Sequence, residues 1–115
     1  MNQSFNIGID IVNVSRFKKK PLKNNQNFYK KIFSDAEINY CKKFSSPYEH
    51  FAGKFAIKES VIKSINTKEN FSKIITDHQN KKPTISICGK NDYEFLASIS
   101  HEKDYAIGMV IAKKI

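Results

Sequence analysis

From Phe5 to Val12 the chain alternates. Phe5, Ile7, Ile9 and Ile11 fall on one face of an extended segment, and Gly8, Asp10 and Val12 on the other. This predicts a strand over residues 5–12. A short helix is expected over Asn13–Lys20, stopped by Pro21. Lys23–Asn27 is polar and reads as loop. The period then becomes helical. Ser34-Asp35-Ala36-Glu37 has capping-box spacing ahead of Ile38, Tyr40, Cys41 and Phe44. Ser46-Pro47-Tyr48-Glu49 repeats the device with proline at the first helical position, and opens a longer helix expected to reach about Ile65. Along it Ala52, Phe55, Ala56, Glu59 and Ile62 or Lys63 recur at helical spacing. The remainder is β-branched and aromatic. It predicts strands over residues 73–77, 84–88, 95–100 and 105–112, with Gln79–Pro83 as a hairpin loop. Strand, helices, then strands describe an α+β domain, one long helix packed on a mainly antiparallel sheet.

Two carboxylates break this pattern. Asp10 lies inside an apolar strand, and Glu59 lies on the apolar stripe of the long helix. An acid on a core-facing surface is costly unless something positive meets it. Asp10 could face solvent or cap the next helix, and Glu59 could pair with Lys58, Lys63 or a distant lysine. Alternatively the two share a cation. Hard oxygen ligands at low count suit Mg²⁺, which keeps several waters and takes its other ligands from a phosphate. Lys63 follows Glu59 at four-residue spacing and should point the same way, as a compact charge suited to a phosphate oxygen.

A length of 115 residues suggests a single domain over 1–115 with a modest core, so an extended active site would borrow surface from a neighbouring subunit. No apolar run is long enough to cross a membrane and no signal-peptide pattern opens the chain, which makes the cytoplasm the expected compartment. Cys41 and Cys88 are expected as reduced thiols in or near the core, without zinc-site spacing. The net charge of +9 admits nucleic acid, an anionic membrane surface or an acidic protein as partner. A Lys-, Asn- and Ile-rich composition also follows from an AT-rich genome. Lys18-Lys19-Lys20 and Lys30-Lys31 are the densest basic clusters.

Three motifs occur in order: Gly8-Ile9-Asp10-Ile11-Val12, then Phe51-Ala52-Gly53-Lys54-Phe55-Ala56-Ile57-Lys58-Glu59-Ser60, then Ser98-Ile99-Ser100-His101. With them the chain resembles a holo-acyl-carrier-protein synthase, the small 4′-phosphopantetheinyl transferase of bacterial fatty-acid synthesis. The resemblance covers nearly the whole chain, and its middle motif is the most specific. It implies the 4′-phosphopantetheinyl transferase fold and transfer of the phosphopantetheine arm of coenzyme A to a serine of apo acyl carrier protein, with release of adenosine 3′,5′-bisphosphate. It further implies a homotrimer with active sites between subunits, and no nucleic-acid or membrane partner.

Residue by residue, the resemblance assigns Asp10 and Glu59 to Mg²⁺ against the pyrophosphate, and Asp10, Glu59 and Lys63 to catalysis. Lys58, Lys63 and His101 become contacts to coenzyme A. Arg16, with Lys19, Lys20 and Lys31 nearby, becomes the grip on the acidic carrier protein. Either Asp10 or Glu59, directly or through a water on the metal, could take the serine proton. His50 and His78 match nothing and are expected on the surface. Two positions depart from the family. Asn66 stands in a usual glycine slot, and Lys81-Lys82-Pro83 replaces a common Gly-Lys-Pro turn. The rival readings are a metal-dependent nuclease and a basic nucleic-acid-binding module. The first normally needs further carboxylates beside the pair, and Asp77, Asp92 and Asp104 sit in no motif. The second needs exposed aromatics for stacking, whereas most phenylalanines fall at core spacing.

Overall fold

The structure is a computed structural model that describes residues 4–115. Strand β1 (Phe5–Asn13) is followed by three short helices, α1 (Ser15–Lys18), α2 (Gln26–Ile32) and α3 (Asp35–Lys42), and by the long helix α4 (Pro47–Ile65). Four strands complete the chain: β2 (Ile74–Gln79), β3 (Lys82–Ile87), β4 (Tyr93–Glu102) and β5 (Tyr105–Lys114). Strands β1, β5 and β4 form an antiparallel sheet in that order, and β2 and β3 form a separate two-stranded ribbon. The expected α+β architecture, one long helix on a mainly antiparallel sheet, is what the chain adopts.

Helix α4 starts at Pro47, whose missing N–H costs nothing at a first helical position. It ends where Asn66 turns left-handed at φ 53°. The Ser34–Glu37 capping box forms in full. The second box does not: Ser46 makes no side-chain cap, so proline alone marks that start. Helix α2 was not expected, because its first turn lies in the Asn-rich stretch that reads as loop; the buried Tyr29 and Ile32 hold it. The β2–β3 connection is also tighter than the expected loop. Asn80 and Lys81, at φ 51° and 67°, make the whole turn, and both strands extend to it.

Asp10 faces Gly108 across the β1–β5 pair, and glycine there and at Gly8 decides how near α4 can lie. A Cβ at Gly8 would stand 1.9 Å from the Ser60 carbonyl oxygen, and one at Gly108 would stand 2.8 Å from the Ile57 nitrogen. The helix backbone therefore rests directly on the sheet beside Asp10. Phe17, Tyr29, Phe33 and Phe51 fill the core at one end of α4, and Ile57, Val61, Ile74 and Val110 at the other. Cys41 is buried in the first group, its thiol pushed up to about 12 by desolvation, whereas Cys88 is exposed and not in the core.

The face of β1 that α4 covers is the Gly8, Asp10 and Val12 face. The other face is left to solvent: Phe5, Ile7, Ile9 and Ile11 are each more than half exposed, and Leu96 on β4 is 70% exposed. Ile7 pairs with Ile111, Ile9 with Met109 and Ile11 with Ile107, so the apolar surface continues across β5. Among the described residues, no helix is long and apolar enough to cross a membrane.

Candidate functional site

The first group of functional side chains lies where β1 meets the C-terminal half of α4. Lys63 donates through Nζ to Asp10 Oδ1 at 3.2 Å and to the Ile9 carbonyl at 2.9 Å. The Asp10 side chain is largely covered, while that of Lys63 is 53% exposed and can turn outward. Glu59 lies one helical turn before Lys63 and is half-buried. The partners that could have neutralised it are taken, Lys63 by Asp10 and Lys58 by Glu37. Among the described residues nothing hydrogen-bonds or ion-pairs with the Glu59 carboxylate. A cleft of about 350 Å³ opens beside this group, lined by Asp10 and Lys63 and by Ile9, Ile11 and Ile107 of the apolar sheet face.

The donor set suits a hard cation. Two carboxylates come from adjoining elements, and one of them has no protein partner. Among the described residues no three His, Cys, Asp or Glu side chains are placed to hold one metal ion together, so a metal here would complete its shell with water and substrate oxygens, as Mg²⁺ does. The same fact weighs against two-metal nuclease chemistry, which needs more carboxylates at the pair.

The second group lines a larger cleft, about 720 Å³, near the N-terminal half of α4. His50, His78, His101, Lys54, Lys81 and Lys82 all face it, and among the described residues no acidic one does. All three histidines of the chain are therefore gathered in one place. His101 Nε2 lies 3.1 Å from the Glu49 carbonyl. The His50 ring stacks on Phe44 at 3.6 Å and lies 6.1 Å from His101, while His78 stacks on Tyr40. Burial holds the His50 pKa below its ordinary value, and the neighbouring His101, His78 and Lys54 push it further the same way despite Glu49. His78 is lowered by burial and then by Lys54, against Asp77. Its Nδ1 is buried without a partner among the described residues. Such a surplus of donors and positive charge suits a polyanion.

His101 thus lies in a cationic cleft, as a nucleotide contact requires. His50 and His78 are not the free surface residues expected from sequence. They come from α4 and β2, and only the packing of those elements joins them. The Asp10 group and this cleft do not merge within one chain: neither lines the other's cavity. Gly53 and Lys63 mark the two ends, roughly 15 Å apart at about 1.5 Å per helical residue.

Lys58 is a correction. It was expected to contact coenzyme A, but its side chain is wholly buried and points away from both clefts. Its ammonium donates to the Ile32 carbonyl at 2.7 Å, to Glu37 Oε1 at 2.7 Å and to the Phe71 carbonyl at 3.0 Å, which uses all three N–H groups. Burial lowers its pKa, and Glu37 opposes that shift. Lys58 fastens α4 to α3. Arg16 lies on α1 with its guanidinium 4.9 Å from the centre of the Phe55 ring, a cation–π contact to α4.

Comparison with known proteins agrees on one family. Residues 6–110 match the family model described as the 4′-phosphopantetheinyl transferase superfamily. A holo-[acyl-carrier-protein] synthase of Thermodesulfovibrio yellowstonii is 36% identical over 108 residues, covering 91% of this chain and 95% of the relative. The synthase of Ehrlichia chaffeensis is 39% identical over 116 residues, covering 91% and 93%. Among solved structures, a holo-(acyl-carrier-protein) synthase from Bacillus anthracis in complex with CoA (3′,5′-ADP) superposes with a TM-score of 0.82 at 28% identity, covering 96% of each chain.

Proposed function

The chain belongs to the 4′-phosphopantetheinyl transferase superfamily, and on that premise we propose how its own residues divide the work. It is an enzyme of the holo-acyl-carrier-protein synthase type, which transfers the phosphopantetheine arm of coenzyme A to a serine of apo acyl carrier protein. The serine oxygen forms a bond to the β-phosphorus of coenzyme A. The bond from that phosphorus to the bridging oxygen breaks, and adenosine 3′,5′-bisphosphate leaves with the electron pair. Such a transfer rests on positioning and charge stabilisation.

The observation that carries this reading is the acid-free cleft lined by three lysines and three histidines, which would hold the phosphates of the nucleotide. Asp10 and Glu59 would hold Mg²⁺, which when bound offsets charge on the pyrophosphate. Lys63, free to swing from Asp10, steers toward the leaving phosphate. One of the two carboxylates takes the serine proton. Arg16 and the lysines around it receive the acidic face of the carrier protein.

Copies of the chain associate through the apolar face of the three-stranded sheet, which a monomer would leave in water. Ile9, Ile11 and Ile107 belong both to that face and to the wall of the Asp10 cleft, so an associated copy would close over the carboxylates. A trimer built this way lets one subunit supply Asp10, Glu59 and Lys63 while its neighbour supplies the cationic cleft. The cytoplasm, where carrier protein and coenzyme A meet, is the matching compartment.

The test is intact-mass spectrometry of apo acyl carrier protein incubated with this protein, coenzyme A and Mg²⁺. The expected result is a mass gain of one phosphopantetheine arm, abolished by EDTA and restored by added Mg²⁺. An unmodified carrier protein beside folded enzyme would overturn the reading.

A further inference from the structure

Two lysines of α4 are buried on the side facing α3 and β2, and one carboxylate serves both. Lys54 is 2% exposed and Lys58 is fully enclosed. Glu37 accepts the Lys58 ammonium on Oε1, which it also presents to the Ser34 N–H. Its Oε2 accepts the Thr76 N–H at 2.8 Å and the Thr76 hydroxyl at 2.7 Å. Because Thr76 Oγ1 gives its proton to Glu37, its lone pairs face the other way, and Lys54 Nζ donates to them at 2.9 Å. Lys54 never touches the carboxylate. Its further protein acceptor is the Thr76 carbonyl at 3.5 Å, the outer limit of a hydrogen bond.

The counts do not balance. Two ammonium groups face one carboxylate, which leaves this buried network with one positive charge in excess. Lys58 is satisfied by three close acceptors, so the excess resides on Lys54. Lys54 is also the lysine of the pair that lines the histidine cleft, beside Tyr40, whose ring lies 4.7 Å from its Nζ. A buried cation with one strong acceptor and a face on a cleft is set to receive an anion. What keeps it at the cleft wall is the threonine hydroxyl, which passes on part of the Glu37 charge without neutralising the lysine.

We propose that Thr76 is a positioning residue for nucleotide binding: its hydroxyl relays Glu37 to Lys54 and holds that ammonium on the cleft wall, where it meets a phosphate group. The inference rests on the cleft being the nucleotide site. Thr76 touches no substrate and acts through Lys54. Valine has the same shape but cannot accept from Lys54 or donate to Glu37, so Thr76→Val would free the ammonium from its one strong partner.

The experiment has two readouts. Steady-state transfer on the complete enzyme should show KM for coenzyme A raised about tenfold in Thr76→Val with kcat within about twofold, the loss of one charge-assisted hydrogen bond. Thr76→Ser should restore the wild-type KM. Direct titration with adenosine 3′,5′-bisphosphate, without carrier protein, should show the same weakening. In a Lys54→Met background, Thr76→Val should add nothing, because the two act as one unit. Thr76→Cys, with only a weak sulfur donor and acceptor, serves in the same way if the valine variant does not fold. Unchanged nucleotide binding in Thr76→Val, or losses that add across the Lys54→Met double variant, would overturn the relay alone. No binding of the bisphosphate by the wild type would overturn the reading of the cleft and this inference with it.

Discussion

Lys58 and Lys63 stand on the same helix and end in opposite environments. Lys58 is enclosed, with Glu37 at 2.7 Å, whereas Lys63 is half exposed and 3.2 Å from Asp10. Removing one member of a buried pair strands the other charge, which costs about 3–5 kcal/mol. An exposed pair contributes about 0–1 kcal/mol. Urea unfolding should therefore report a loss of that larger size for Lys58→Met and little change for Lys63→Met. Transfer activity should fall steeply in Lys63→Met despite its intact fold. A Lys58→Met variant as stable as the wild type would remove the fastening role given to the Lys58–Glu37 pair. The two lysines look alike in sequence, each adjoining the Glu59 turn. What separates them is Glu37, which comes from another helix, and no spacing along α4 carries that information. Asp10 and Glu59 stand out in the sequence because a carboxylate on an apolar stripe conflicts with its surroundings at short range.

Elements with a strong periodic signal and a clear stop were the readable ones. Strand β1 followed its alternation, and α4 ran from Pro47 to Ile65 because proline and then a left-handed asparagine bound it. Helix α2 escaped because its start is polar and it is held by Phe28, Tyr29 and Ile32, packed on distant residues. The β2–β3 hairpin was expected, but the tightness of its turn escaped, for a different reason. Two-residue turns with positive φ at both positions usually carry glycine at the second, and here that position is Lys81 at φ 67°. A side chain in that conformation costs about 1–2 kcal/mol, partly offset by the freedom glycine would bring to the unfolded chain. Lys81→Gly should thus raise stability by roughly 0.5–1 kcal/mol in denaturant titration, while Lys81→Ala, which keeps the Cβ, should not. Equal effects of the two would argue that the turn is unstrained. Lys81 also lines the cationic cleft, so the gain in stability should come with weaker nucleotide binding.

At the scale of the whole molecule, the chain divides its chemistry. Asp10 and Lys63 lie beside an apolar sheet face, with Glu59 one helical turn before Lys63, and the cationic cleft lies toward the other end of α4. Alternation along β1 revealed its two faces but not which one the helix would take. Gly8 and Gly108 decide that by admitting the helix backbone, and they leave the isoleucines outward. Exposed isoleucines bordering the Asp10 cleft are why we propose that the complete site lies between copies. Co-expression of two inactive variants, Glu59→Ala and His101→Ala, tests this most directly. Each alone should transfer little phosphopantetheine. In a mixed assembly, the His101→Ala copy still has its carboxylates and the Glu59→Ala copy still has its cleft, so intact-mass analysis of the carrier protein should show transfer regained. Mixed assemblies no more active than the separate variants would contradict a site shared between subunits.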